Sequence, residues 1–294
     1  MSPAGAAADD RPVVLRVSGP TASVWADGEE VEARVVPGLP GGPPVAGDRV
    51  EMRAGGERPA LVGIAPRRTL LVRGQGPDRT PRPLAANADL LIVVSSVVRP
   101  AMRPTLIDRY LVVAELGSLA PALLVTKADL PHDERELRAV LARYEAVGYP
   151  AVVGSAKDPA LVGRVRELIG DRTAVLAGPS GVGKSTLTRA LTGVERAVGA
   201  VSRKAGTGRH TTTDPRLIPI PGGGAVVDTA GVRTFHLPRL SREELEAGFP
   251  EIAQAAGGCR FRGCAHDGDA GCAVPGRVSA ERLDSYRRIL HDMR

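Results

Sequence analysis

Gly178-Pro179-Ser180-Gly181-Val182-Gly183-Lys184-Ser185 follows five residues that read as a buried strand, Thr173-Ala174-Val175-Leu176-Ala177. It precedes a helix-forming segment, Thr186-Leu187-Thr188-Arg189-Ala190-Leu191. Glycines at 178, 181 and 183 let the backbone wrap closely around phosphate groups, with its N–H groups pointing inward at a helix N-terminus. The spacing puts Lys184 against β- and γ-phosphates and Ser185 on Mg²⁺, with Pro179, Ser180, Val182 and Thr186 completing the phosphate-facing turn. A strand, a phosphate loop and a helix in that order indicate an α/β fold.

The motifs around this loop stand in an unusual order. Thr126-Lys127-Ala128-Asp129 and Ser155-Ala156-Lys157 come before it, and Thr211-Thr212-Thr213 and Asp228-Thr229-Ala230-Gly231 come after it. Asp129 can accept two hydrogen bonds, from the N1–H and exocyclic amine of guanine, a pairing adenine does not offer. A bare strand-end turn could also read Thr-Lys-Ala-Asp, but a Ser-Ala-Lys closing the next strand and a phosphate loop downstream argue for base recognition. Asp228 is expected to hold Mg²⁺ through water, and the Gly231 N–H to face the γ-phosphate. An ordinary GTPase starts with the phosphate loop and ends with the base-reading pair. The chain therefore reads as a circularly permuted GTPase with GTP and GDP as ligands.

Lysine usage points to the same positions. Of 39 basic residues only four are Lys, at 127, 157, 184 and 204, and three of these lie in the motifs above. A compact ammonium is not replaceable by a planar guanidinium where phosphate or base packing is tight. From Leu90 the sequence alternates: strand 90–98, helix 105–117, strand 121–126, helix 133–147, strand 151–154, helix 159–169, strand 173–177. Such alternation predicts a mostly parallel, doubly wound sheet with its ligand at the strand C-terminal ends, where both base-reading motifs and the phosphate loop fall.

The chain has 294 residues, 43% of them hydrophobic, enough for two or three domains. Its longest apolar run, Leu90-Leu91-Ile92-Val93-Val94, is far short of a membrane span. The first ten residues end in Asp9-Asp10 without the order of a signal peptide, so a cytoplasmic protein is expected. A net charge of +6 and a pI near 9.6 point to an acidic partner, nucleic acid being the commonest, with a solvated basic surface as the alternative. Only 3% of residues are aromatic, which favours contact with phosphates over stacking on many bases.

Apolar residues alternate from Val13 (Val13, Leu15, Val17, then Val31, Ala33, Val35) around an Asp27-Gly28 turn, and Val45 to Val50 is expected to open another strand. About 55 residues and five short strands suit an OB-like β-barrel, a frequent nucleic-acid binder; a purely structural barrel stays open. Between Pro66 and Pro83, Arg67, Arg68, Arg73, Arg79 and Arg82 lie amid Gly and Pro, as a linker or hairpin that either contacts phosphates or only tethers.

Beyond Val232, Ser241-Arg242-Glu243-Glu244 is a capping box. Cys259, Cys264, His266 and Cys272 then gather all three cysteines and a histidine within fourteen residues, among glycines that cannot build a core. A Cys₃His set of this spacing predicts one structural Zn²⁺ per chain, whose binding supplies the folding energy the segment lacks. Ala280 to Met293 reads as an amphipathic helix with Leu283, Tyr286, Ile289 and Leu290 on one face and Arg282, Arg287 and Arg288 displayed elsewhere. The expected organisation is multidomain: a disordered tail (1–10), an OB-like β-barrel (11–72), a central α/β circularly permuted P-loop GTPase domain (80–240) and a C-terminal zinc-binding α-rich domain (241–294).

A barrel, a permuted GTPase, Gly208-Arg209-His210-Thr211-Thr212-Thr213 and Cys-x₄-Cys-x-His-x₅-Cys together resemble the RsgA family of small-ribosomal-subunit biogenesis GTPases, from about residue 11 to the end. The resemblance implies a monomer that binds the 30S subunit and its 16S rRNA late in maturation, hydrolyses GTP under stimulation by that subunit and leaves on hydrolysis. Two positions depart from the family pattern. Thr126 replaces a usual Asn and is expected to lose an amide that helps hold the phosphate loop; Ala230 replaces a usual Pro and should loosen its turn. Val232 occupies the position where Ras-like enzymes carry a water-orienting Gln, so His210 is the nearest polar candidate for that role, with Thr212 the preferred Mg²⁺ ligand of the Thr run. The alternative is that His210 is a surface histidine on a mobile loop. Two other readings stand beside this one: a permuted GTPase serving the large subunit or tRNA, and a non-hydrolysing RNA-binding scaffold.

Overall fold

The structure is a computed structural model that describes residues 10–194, 215–229 and 235–293. Its first unit is a five-stranded barrel of β1 (Val13–Ser18), β2 (Thr21–Ala26), β3 (Glu29–Val35), β4 (Val50–Arg53) and β5 (Ala60–Ile64). The strand order is β1-β2-β3-β5-β4, with β3 and β5 parallel. A bridge between Val13 and Arg49, with the Val50 N–H donating to the Pro12 carbonyl at 2.9 Å, closes β4 back onto β1. This is the Greek-key closure expected of an OB-type barrel. The β2–β3 turn sits at Asp27 (φ 49°) and Gly28 (φ 88°), two positive φ values that match the twist of the strands they join. Alternate residues Ala22 and Val24 enter a small core with Val14, Ala33, Val50 and Leu61.

The expected strand over Val45–Val50 begins only at Val50. Asp48 is fully buried and turns the preceding residues back, accepting the Val45 N–H at 2.8 Å and a bidentate pair from Arg67 at 2.8 Å. The side-chain bonds offer this backbone an alternative to a ladder. Gly47 (φ 91°) lets the turn reach the next unit, since a Cβ there would stand 2.0 Å from the Ala86 carbonyl oxygen.

Residues 70–86 form a hairpin, β6 (Leu70–Gln75) and β7 (Thr80–Ala86), spanning the 72–80 stretch between the barrel and the central unit. Of the five arginines between Pro66 and Pro83, Arg67 is held by Asp48, Arg68 by Asp89 and Arg79 by the Asp292 carbonyl, so at least three of them are engaged within the chain. The hairpin also pairs beyond itself: the Gly74 N–H donates to the His236 carbonyl at 2.8 Å.

The central unit runs β8 (Leu90–Ser96), α1 (Pro104–Leu116), β9 (Ala120–Thr126), α2 (Glu134–Glu145), β10 (Ala151–Val153), α3 (Pro159–Ile169), β11 (Thr173–Ala177), α4 (Lys184–Thr192), β12 (Arg216–Pro219) and β13 (Ala225–Asp228). Its six strands lie in the order β10-β9-β8-β11-β13-β12, all parallel neighbours except the antiparallel β12–β13 pair. Both faces are covered. In β8, Leu91 and Val93 join one core with α1 and α2, while Leu90, Ile92 and Val94 join the other with α3 and α4. That two-sided burial explains the unbroken apolar run.

The last unit comprises α5 (Arg242–Ala247), α6 (Pro250–Ala256) and α7 (Ala280–Asp292). The capping box forms, with Ser241 and Glu244 exchanging both bonds. Leu283, Tyr286, Ile289 and Leu290 of α7 are buried as the pattern requires. Arg282 departs from it. Expected on the surface, it is 2% exposed, donating to Asp108 of α1 at 2.5 Å and to Glu251 of α6 at 2.6 Å. Its guanidinium lies 4.5 Å from the Phe249 ring centroid. Two carboxylates from other elements, invisible in the period of one helix, explain the burial of the charge. Although burial works against the cation, Asp108 and Glu251 raise the Arg282 pKa. Among the described residues no helix is long and apolar enough to cross a membrane.

Candidate nucleotide site and metal centre

Strand register sets the first site. Leu176 of β11 is level with Asp228 of β13, Val93 of β8 with Ala177, and Ser96 of β8 with Thr126 of β9. The parallel strands thus deliver Thr126, Gly178 and Asp228 to one edge, with Ser155 following β10 there. Gly178 (φ 152°) crosses the end of β8 so closely that a Cβ would stand 2.0 Å from the Val94 carbonyl oxygen. Gly183 (φ 97°) opens α4 in the left-handed region that glycine tolerates. A Cβ built there would meet Ala156 Cβ at 3.6 Å and Thr126 Oγ1 at 3.7 Å, so the Thr126–Asp129 and Ser155–Lys157 motifs both lie beside the phosphate loop.

Thr126 corrects its own expectation. Its buried hydroxyl donates to the Val182 carbonyl at 2.5 Å, with the Ser95 carbonyl at 3.0 Å, and so ties the loop to β8 and β9 without an amide. The Ala128 N–H donates to the Gly154 carbonyl at 3.2 Å, which joins the Thr126–Asp129 and Ser155–Lys157 loops. Asp129 and Lys157 are exposed beside them, and Lys127 donates to the Arg99 carbonyl. Lys184 is 6% exposed and donates to the Gly178 and Pro179 carbonyls, both at 2.7 Å. Burial lowers its pKa, and the negative charge of Asp228 works the other way. Asp228 is itself fully buried, and the neighbouring Thr229 hydroxyl donates to the Leu176 carbonyl at 2.7 Å. Ser185 and Thr186 lie in the first turn of α4. The expectations for His210, Thr212 and Gly231 lie outside the described residues.

The four residues of the Cys₃His set converge as their spacing requires. The ligand atoms of Cys259, Cys264, His266 and Cys272 all lie within 4.8 Å of one another. The Cys259 and Cys272 sulfurs are 4.0 Å apart, and His266 Nδ1 is 3.7 Å from the first and 3.4 Å from the second. Tetrahedral bonds of about 2.3 Å imply edges of roughly 3.8 Å, so the donor set fits a closed four-coordinate metal ion. His266 Nε2 lies 2.9 Å from a Glu246 carboxylate oxygen on α5. A proton held there leaves the Nδ1 lone pair toward the sulfurs. Sequence reasoning missed Glu246: it is twenty residues from His266, in a helix with no ligand pattern of its own. The backbone N–H of Ala273 donates to Cys259 Sγ at 3.3 Å, and that of Ala265 to Asp269 at 2.9 Å.

Comparison with known proteins agrees with this geometry. A family model described as RsgA GTPase matches residues 64–238. The small ribosomal subunit biogenesis GTPase RsgA of Azotobacter vinelandii is 42% identical over 257 residues, which span 84% of this chain and 74% of that protein. The protein of the same name from Pseudomonas aeruginosa is 41% identical over 260 residues, 85% of this chain and 76% of the relative. Among solved structures, YjeQ from Thermotoga maritima is similar with a TM-score of 0.73 at 26% identity, covering 97% of this chain and 98% of the other. YloQ, described as a circularly permuted GTPase, gives 0.72 at 26% identity over 96% and 94%.

Proposed function

This chain belongs to the RsgA GTPase family and is a GTP-hydrolysing enzyme, and from that premise we propose that it binds the 30S ribosomal subunit, assists its late maturation and hydrolyses GTP under that subunit's stimulation. The observation that carries the reading is the meeting of Thr126, Ala156 and Gly183 at one sheet edge. It makes base recognition and phosphate binding a single site despite the permuted order. Asp129 reads guanine through two hydrogen bonds, with Thr126, Lys127, Ser155, Ala156 and Lys157 around the base. Gly178 to Thr186 cradle the phosphates, and Gly231 faces the γ-phosphate. Lys184 gives up its bonds to the Gly178 and Pro179 carbonyls for phosphate oxygens; its burial removes the competing water that would weaken that contact.

Asp228 and Ser185, with Thr212, suit a hard cation of oxygen preference. Mg²⁺ bound with GTP neutralises charge on the β- and γ-phosphate oxygens. His210 positions the attacking water in place of a Ras-like Gln, since Val232 has no hydrogen-bonding group. The Cys₃His set holds one structural Zn²⁺ per chain. The working units are a barrel over 11–72, a GTPase domain over 80–240 and a zinc domain over 241–294, in a cytoplasmic monomer whose net charge of +6 meets the phosphates of 16S rRNA. Because the segment after Gly231 leads into the zinc domain and pairs at His236 with Gly74 of the hairpin, a nucleotide-dependent shift there has a covalent and a hydrogen-bonded path to both ends of the molecule.

The test is sedimentation of the full chain, loaded with a non-hydrolysable GTP analogue, with purified 30S or 50S particles. Co-sedimentation with 30S alone is expected; preference for 50S overturns the assignment.

A further inference from the structure

We infer that Phe261, at the tip of the metal-binding loop, is a stacking platform for one unpaired base of RNA. The inference rests on the small-subunit reading above. Phe261 is 56% exposed, more than any other large hydrophobic among the described residues; Phe235 and Phe249 are 6% and 0% exposed. Aromatic residues are few in this chain, and two of its three phenylalanines serve the core. A single exposed aromatic needs no partner by itself; what singles out Phe261 is its setting between two arginines in a tied-down loop.

The loop cannot fold the ring away. Cys259 and Cys264 flank it, the Arg260 N–H donates to the Gly271 carbonyl at 3.0 Å, and Arg242 Nη1 donates to the Gly263 carbonyl at 2.5 Å. Its neighbours choose the partner. Arg260 and Arg262 are both exposed on either side, and the Arg260 guanidinium lies 5.3 Å from the ring centroid. Carboxylates of this segment and of α5 are engaged elsewhere: Asp269 accepts the Ala265 N–H, Asp267 pairs with Arg287, and Glu243 with Arg242. With Arg260 over one face of the ring, the other face and the two neighbouring cations complement a base with its flanking phosphodiesters. Paired helical RNA presents no free base face, so the target is a loop, bulge or end whose base is splayed out.

The test uses the zinc-loaded full chain, the GTP analogue and purified 30S particles, with affinity measured across a salt series. Phe261→Ala should weaken binding roughly 5- to 150-fold with an unchanged salt slope. Phe261→Trp and Phe261→Tyr should bind as wild type, and Phe261→Leu should resemble the Ala variant. Arg262→Ala should instead flatten the slope by somewhat less than one unit, the signature of a lost phosphate contact. Zinc content and unstimulated GTP turnover should be unchanged in all Phe261 variants. Wild-type affinity in Phe261→Ala overturns the inference while leaving the small-subunit reading intact. Full rescue by Leu overturns it too, and points to an apolar protein pocket. A wild-type chain that fails to bind 30S overturns both.

Discussion

The nucleotide edge and the metal loop are both glycine-rich turns, yet they are fixed by opposite means. At the nucleotide edge, Gly178 and Gly183 lie at the end of a sheet whose strands are buried on both faces, so register places Thr126 and Asp228, and the loop carries Lys184 to the start of α4. Around the metal loop the residues from 257 to 277 bury only Cys264 and Val274 among apolar side chains. Each contributes at most about 3 kcal/mol by burial. A structural Zn²⁺ contributes about 10–16 kcal/mol. One site is therefore prepaid by its scaffold, whereas the other has little core and a donor set that a bound metal ion would hold together.

The largest break in that comparison is metal removal. Chelation, or Cys272→Ser, should unfold the 259–272 loop and expose it to proteolysis, at a cost of the order of 10 kcal/mol locally. GTP affinity should change little. Joint loss of both, followed by limited digestion and nucleotide binding on one sample, would show that the sheet depends on the ion as well.

Asp129→Asn cuts the other way. Loss of its two charge-assisted hydrogen bonds to guanine should cost about 3–6 kcal/mol of GTP affinity and shift preference toward xanthine nucleotide, while metal content should be unchanged. Calorimetric titration with both nucleotides measures it. Equal GTP affinity in mutant and wild type removes Asp129 from the base site.

The smallest effect sharpens the boundary between the regions. Arg282 joins α7 to Asp108 of α1, on the sheet's own helix layer. Arg282→Met leaves both Asp108 and Glu251 without their cation, which should cost about 3–5 kcal/mol of stability, recovered in part by adding Asp108→Leu. Urea unfolding of the single and double variants reads this. No destabilisation in the single variant would mean that the two regions stand independently.

How legible each region was follows from the range of its interactions. The phosphate loop, the base-reading motifs, the Cys₃His set and the capping box are local, and their chemistry is written in consecutive residues. The helices and strands of the central unit follow their periodicity closely, because a sheet covered on both faces makes each strand a continuous apolar run. What escaped is long-range. Arg282 meets Asp108 across 174 positions, and Thr126 reaches Val182 across 56. Asp48 becomes a buried turn instead of a strand residue because Arg67, nineteen positions on, neutralises it. Glu246 gains its role only when α5 packs over His266. Helix α6 was missed for a different reason: seven residues starting at Pro250 are too few to show a period.

Both regions converge on one claim, that the sheet-held site hydrolyses GTP when the chain engages a small ribosomal subunit. The direct measurement is single-turnover GTP hydrolysis by the full chain alone, with 30S and with 50S particles, alongside His210→Ala. The account predicts slow hydrolysis alone and with 50S, strong acceleration by 30S, and loss of most of that acceleration in His210→Ala with GTP affinity and 30S binding kept. A rate indifferent to 30S, or raised equally by 50S, would contradict it.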